Sequence, residues 1–121
     1  MQYMLLIYSQ PGRWESLSDT EREAVYADYM AFGKELRERD AYVDGSELQS
    51  TTAATSVRVR DGEALVTDGP FAETKEALGG YYLIDVESLD EAIELAAKLP
   101  GATHGTVEVR PVVMREAEVS A

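Results

Sequence analysis

The chain has 121 residues, 45% of them hydrophobic, which suits one domain with an ordinary core and argues against two. Its formal charge of −12, with 23 Asp and Glu against 11 scattered Lys and Arg, works against nucleic acid and anionic membranes as partners, because phosphate binding needs a basic footprint. The absence of cysteine removes disulfides, thiolate nucleophiles and sulfur-ligated metals, and no segment approaches the roughly 20 apolar residues of a membrane span.

Met1-Gln2-Tyr3-Met4 lacks a basic n-region, and the apolar run after it stops by Tyr8. It reads as a strand and not as a signal peptide, so a cytoplasmic location is expected. Tyr3 to Tyr8 forms this first strand, with both faces apolar, bounded by the turn signal Ser9-Gln10-Pro11-Gly12. Trp14, just after Pro11-Gly12-Arg13, reads as a loop cover.

Ser18 and Glu21 make a capping box, and Val25, Tyr29, Phe32 and Leu36 follow at helical spacing, which predicts a first helix ending near Asp40. Tyr42-Val43 opens a second extended stretch with turn character at Asp44-Gly45. Ala54 to Arg60 and Glu63 to Thr67 flank Asp61-Gly62, a strong hairpin signal. Arg58 and Arg60 are the one close basic pair on a strand face, explained by a solvated hairpin.

Gly79-Gly80 precedes a strand over Tyr81 to Val86, again apolar on both faces. Ser88 to Glu91 supplies a second capping box, and Leu89, Ala92, Ile93, Ala96 and Leu99 are expected to line the buried face of a second helix terminated by Pro100-Gly101. His104 falls in the loop that follows, and Thr106 to Arg110 is the last strand, confined by Pro111 to an edge or an end. The domain is expected over residues 1–115, with 116–121 as a polar tail.

The order β, α, β, hairpin, β, α, β is the ferredoxin-like split βαβ arrangement of an α+β protein, with an inserted β-hairpin. Two helices cover one face of such a sheet, whereas two strands are apolar on both, so a second copy is expected on the other face as a homodimer.

Special residues concentrate between Asp68 and Glu76: Asp68 can cap backbone donors, Gly69 permits positive φ, and Pro70 presets a helical turn. Glu73, Lys75 and Glu76 add charges of both signs before the open Gly79-Gly80 pair, which marks a candidate binding site; in the alternative, Phe71 plugs the core and the charges are solvated. His104 is the chain's single histidine, a candidate acid/base group or an inert surface residue, and a metal site built from histidines alone is excluded by count. Tyr8 and Tyr82, among the strand tyrosines, could line a cleft with hydroxyl donors or simply pack. Arg110 is expected to pair with Asp68 or Glu76 or to receive an anionic ligand. No calcium loop, metal-binding helix, nucleophile elbow, phosphate loop or dinucleotide fingerprint occurs, so no metal and no cofactor is expected.

Asp68-Gly69-Pro70-Phe71-Ala72-Glu73-Thr74-Lys75-Glu76 resembles the signature of the DGPF subgroup of YCII-related proteins. Met1 to Tyr8, Gly79 to Ile84 and Gly105 to Pro111 are similar to the family pattern too. The resemblance implies a dimeric α+β barrel of ferredoxin-like subunits, a small-molecule cleft between sheet and helices, and a genomic association with extracytoplasmic-function sigma factors. Related proteins are thought to use a His-Asp pair with the His in the first helix; Ser18 to Arg39 contains none, so that proposal does not transfer.

Three functions follow as expectations. The first is a small-molecule-binding homodimer using Tyr8, Asp68, Gly69, Pro70, Tyr82 and Arg110, accessory to sigma-factor-linked regulation. The second is an acid/base, oxygenase-like or isomerase-like enzyme using Asp68, Lys75, Glu76 or His104. The third is a structural interaction protein without a ligand. Fold analogy alone does not choose between them.

Overall fold

The computed structural model describes residues 1–115, so the expected tail at 116–121 lies outside the described residues. Its elements run β1 (Gln2–Ser9), α1 (Arg13–Ser16), α2 (Asp19–Glu38), β2 (Tyr42–Glu47), a 3-10 turn at Thr51–Ala53, β3 (Thr55–Arg60), β4 (Glu63–Asp68), β5 (Ala77–Asp85), α3 (Leu89–Ala96), α4 (Pro100–His104) and β6 (Thr106–Pro111). Four strands form an open sheet in the order β2-β5-β1-β6, and β3 pairs only with β4. All neighbours are antiparallel. This is the expected α+β, ferredoxin-like arrangement with its inserted hairpin.

Alternation along β1 sets the layers. Tyr3, Leu5 and Ile7 point into a core shared with Phe32 and Leu36 of α2, Ile84 of β5, and Leu95 and Leu99. Leu5 lies opposite Tyr82 on one side and Val109 on the other, so the register keeps apolar residues of three strands on this face. Met4, Leu6 and Tyr8 take the other face, beside Tyr81 and Leu83, and are half-buried.

The capping signals hold because caps are local. Ser18 Oγ accepts from the Glu21 amide at 3.1 Å while the Glu21 carboxylate accepts from the Ser18 amide at 2.9 Å, and the Ser18 amide first, then its hydroxyl, hold that carboxyl below its ordinary value. At α3, Ser88 Oγ accepts from the Glu91 amide, but Glu91 reaches back to the amide of Glu87, one residue earlier than a capping box requires. The buried stripe of α3 also differs from expectation: Ala92, Leu95 and Ala96 are buried, whereas Leu89 and Ile93 are 47% and 50% exposed. Two alanines let the helix lie close to the sheet, and that contact turns the bulkier Leu89 and Ile93 outward.

Pro100 does not simply end a helix. It stands at the first position of α4, where its missing N–H costs nothing, and this places His104 in the last turn of a helix instead of in a loop. Asp44-Gly45 is not a turn but the middle of β2, beside an irregularity between Tyr42 and Asp44. Gly79-Gly80 lies inside β5, where Ile7 faces Gly80 and Tyr8 faces Leu78, so Gly79 is the extra residue of a bulge.

The hairpin turn forms as expected, with positive φ at both Asp61 (53°) and Gly62 (79°). The ribbon stands apart from the core, with Val57, Val59 and Val66 all at least 61% exposed. Phe71 follows it outward at 77% exposure and plugs nothing in the core.

Candidate functional site

The turn after β1 is closed by the Arg13 amide donating to the Gln10 carbonyl at 3.1 Å, with Gly12 at φ 85°, and it delivers Trp14 on α1. Arg22 of α2 fastens this short helix: its Nε donates to the Trp14 carbonyl at 3.1 Å and its Nη2 to the Glu15 carbonyl at 2.9 Å. The Trp14 ring meets Tyr26 edge-on at 5.0 Å. Trp14 is therefore a wall, not a loop cover.

Below α1, a cavity of about 550 Å³ opens between α2 and the core face of the sheet. Tyr26, Tyr29, Gly33 and Arg37 of α2 line one side, Ile7, Gly45 and Tyr82 form the floor, and Gly101 and His104 of α4 close an end. Absent side chains shape it. A Cβ at Gly45 would lie 2.9 Å from the Tyr82 ring, and one at Gly101 would lie 2.6 Å from Ile7 Cγ2 and 3.4 Å from the Tyr29 hydroxyl.

Tyr29 and Tyr82 stack at 6.5 Å with 20° between their planes, and Phe32 supports Tyr82 edge-on at 5.0 Å. Burial raises both phenols above their usual values, opposed at Tyr29 by the Gly101 backbone and reinforced at Tyr82 by Tyr29 and Tyr42. Both therefore stay neutral near pH 7 and keep a hydrogen to donate. At another margin Tyr26 donates to Glu47 at 3.4 Å, while the Arg37 guanidinium lies over the Tyr42 ring at 4.4 Å. The site thus offers an aromatic wall, hydroxyl donors, the carboxylates of Glu15 and Glu47, and the guanidinium groups of Arg13 and Arg37.

Of the residues expected from the sequence, Tyr82, His104 and the Gly79-Gly80 pair border this cavity. The others fall in two further places. Asp68 ends β4 opposite Thr55, and Gly69, at φ 89°, ties the base of the hairpin by donating to the Ala54 carbonyl at 2.7 Å and accepting from Ser56 Oγ at 2.8 Å. Pro70 and Lys75 beyond it are exposed. On the other face of the sheet, Tyr8 donates to Glu108 at 3.4 Å and Arg110 pairs with Glu108, not with Asp68 or Glu76, because Glu108 is two residues away on the same face of β6. Glu76 accepts from Thr106 Oγ1 at 2.8 Å at the edge of that face. Asp68, Lys75, Tyr8 and Arg110 do not line the cavity.

Trp14, Tyr26, Tyr29, Arg37 and Glu47 are the site residues that sequence reasoning missed. The available signals were weak: Tyr26 and Tyr29 one turn apart on a helix, and Gly33 interrupting a run of good helix formers. Among the described residues no group of three or more His, Asp or Glu side chains is placed to hold a metal ion, and no helix is long and apolar enough to cross a membrane.

A ferredoxin-like fold with a cleft between sheet and helices is what the family resemblance implied for the single chain, and the chain belongs to the YCII-related domain family, whose model matches residues 1–116. It is similar to an uncharacterised protein of Rhizobium meliloti (strain 1021), with 41% identity over 116 residues, 94% of each chain.

Proposed function

We propose that this protein binds a small organic molecule in the cavity between α2 and the sheet, and that it does so as a homodimer whose second copy covers the open sheet face. The family is one of uncharacterised function, so the reading rests on geometry. The observation that carries it is an aromatic-walled space of about 550 Å³, inside the roughly 300–1,000 Å³ typical of ligand sites, bordered by Gly45 and Gly101, where a side chain would strike the Tyr82 ring or Ile7. This supports binding beside α2 in preference to the segment from Asp68 to Glu76. An accessory role in sigma-factor-linked regulation, implied by the resemblance to the DGPF subgroup, would use such binding as its signal, and the lack of cysteine fits a cytoplasmic setting.

Trp14 is the sole tryptophan and stands on the cavity wall, so its emission reports occupancy directly. A metabolite library screened by Trp14 fluorescence and thermal shift is expected to give ligands whose thermal shift is lost in Val25→Trp, which fills the cavity, and whose two responses are both retained in Asp68→Ala. Hits that survive Val25→Trp would move the site elsewhere. An acid/base enzyme is the second reading, favoured by His104 on the cavity border. Conversion of a bound ligand that disappears in His104→Ala supports the enzyme; binding without turnover supports the accessory role.

A further inference from the structure

The charged groups of the cavity are unevenly committed. Glu47 is held by Tyr26, at 3.4 Å. Arg13 and Glu15 of α1 line the cavity as well, and neither forms an ion pair within 4 Å among the described residues. Arg37 has no carboxylate partner among the described residues, although the chain carries 23 Asp and Glu. Its exposed guanidinium lies 4.4 Å from the Tyr42 ring centre and over Gly33, where a Cβ would come within 3.1 Å of Nη1. A planar, always-charged fork held beside a tyrosine wall, with its donors unmatched by a carboxylate, is built to meet a carboxylate from outside.

We infer that the cavity takes a small aromatic carboxylate, with its ring against Tyr29 and Tyr82 and its carboxylate on Arg37. The inference rests on the reading of this cavity as the ligand site and adds the class of ligand. Face and edge contacts with tyrosine rings suit a flat unsaturated ring, and the two neutral phenols supply donors for a ring substituent. Glu47, whose charge reaches both Tyr26 and Tyr29, opposes the reversed orientation. The overall charge of −12 repels anions at long range, but at physiological ionic strength that field is screened beyond about 8 Å, which leaves the guanidinium groups of the cavity, with Arg37 set against the Tyr42 ring, as the local determinants.

The test is calorimetric titration of the full chain with 4-hydroxybenzoate and with its neutral counterpart, 4-hydroxybenzyl alcohol. The carboxylate is expected to bind at least about tenfold more tightly, as a charge-assisted bidentate contact should. Arg37→Met, whose unfolding temperature checks that the exposed substitution leaves the fold intact, is expected to erase that preference while the alcohol binds as before; Arg37→Lys, a point charge in place of a fork, restores only part of it. Equal affinity of the two probes for the native chain overturns the aromatic-carboxylate class and leaves the cavity reading standing. Failure of both to bind, or a preference that survives Arg37→Met, overturns the inference too, and the Val25→Trp comparison then decides the cavity reading separately.

Discussion

Gly105 shows how much one residue can depend on its neighbours in space. It joins α4 to β6 at φ −149° and ψ −137°, outside the regular helix and strand regions, and packing restricts it further. A Cβ at Gly105 would collide with the Tyr8 carbonyl oxygen and lie 3.2 Å from Ser9 Cα, and neither backbone atom can rotate aside. Gly105→Ala is therefore expected to destabilise the protein by about 1–3 kcal/mol, measured as a lower denaturation midpoint at unchanged slope. The same logic explains what could be read at this scale. Tyr82 and His104 were legible as candidates because their chemistry is unusual in itself. Arg37 and Glu47 were not, because a surface Arg or Glu gains meaning only from what faces it.

Between elements, the clearest electrostatic feature is the clamp joining α2 to α3 and the segment after it. Glu35 accepts from Arg39 at 2.9 Å and from Lys98 at 2.6 Å, and Arg39 reaches on to Glu91 at 3.0 Å. Lys98 first, and Arg39 second, hold the Glu35 carboxyl below its ordinary value. A depressed carboxylate contributes stability that is present above its unfolded pKa and is lost as pH falls through the lower folded one. Unfolding temperature followed downward from about pH 5 should thus fall more steeply for the native chain than for Glu35→Gln, with the two curves converging in strong acid. The contribution is modest, since Glu35 is 34% exposed and water screens the pair. A steeper fall in the variant would refute the clamp. Helix starts at Ser18 and Ser88 were legible because a cap is written in four consecutive residues. The second function of Pro100 was not, because proline both follows one helix and begins another.

For the whole molecule, the element order was enough to reach the split βαβ arrangement, since short connections and two-faced strands leave few alternatives. The order could not show that the hairpin carries Asp68 to Glu76 away from the cavity, a matter of where β3 and β4 leave the sheet. The proposed dimer is tested at this scale. Met4, Leu6 and Leu83 present a half-buried apolar face, and sedimentation velocity at micromolar concentration is expected to give twice the mass of one chain. Leu83→Glu should reduce that to a single chain, whereas a monomeric native protein would refute the pairing.

Gly33 ties these scales together. The absent side chain that leaves the guanidinium its place also weakens the C-terminal half of α2, because glycine in a helix interior costs about 1 kcal/mol relative to alanine. The reinforcements of α2 stand at its two ends, the Ser18 box and the Glu35 clamp. The helix is a beam fixed at both supports and thinned just before the second of them, and the thin section lies against the cavity.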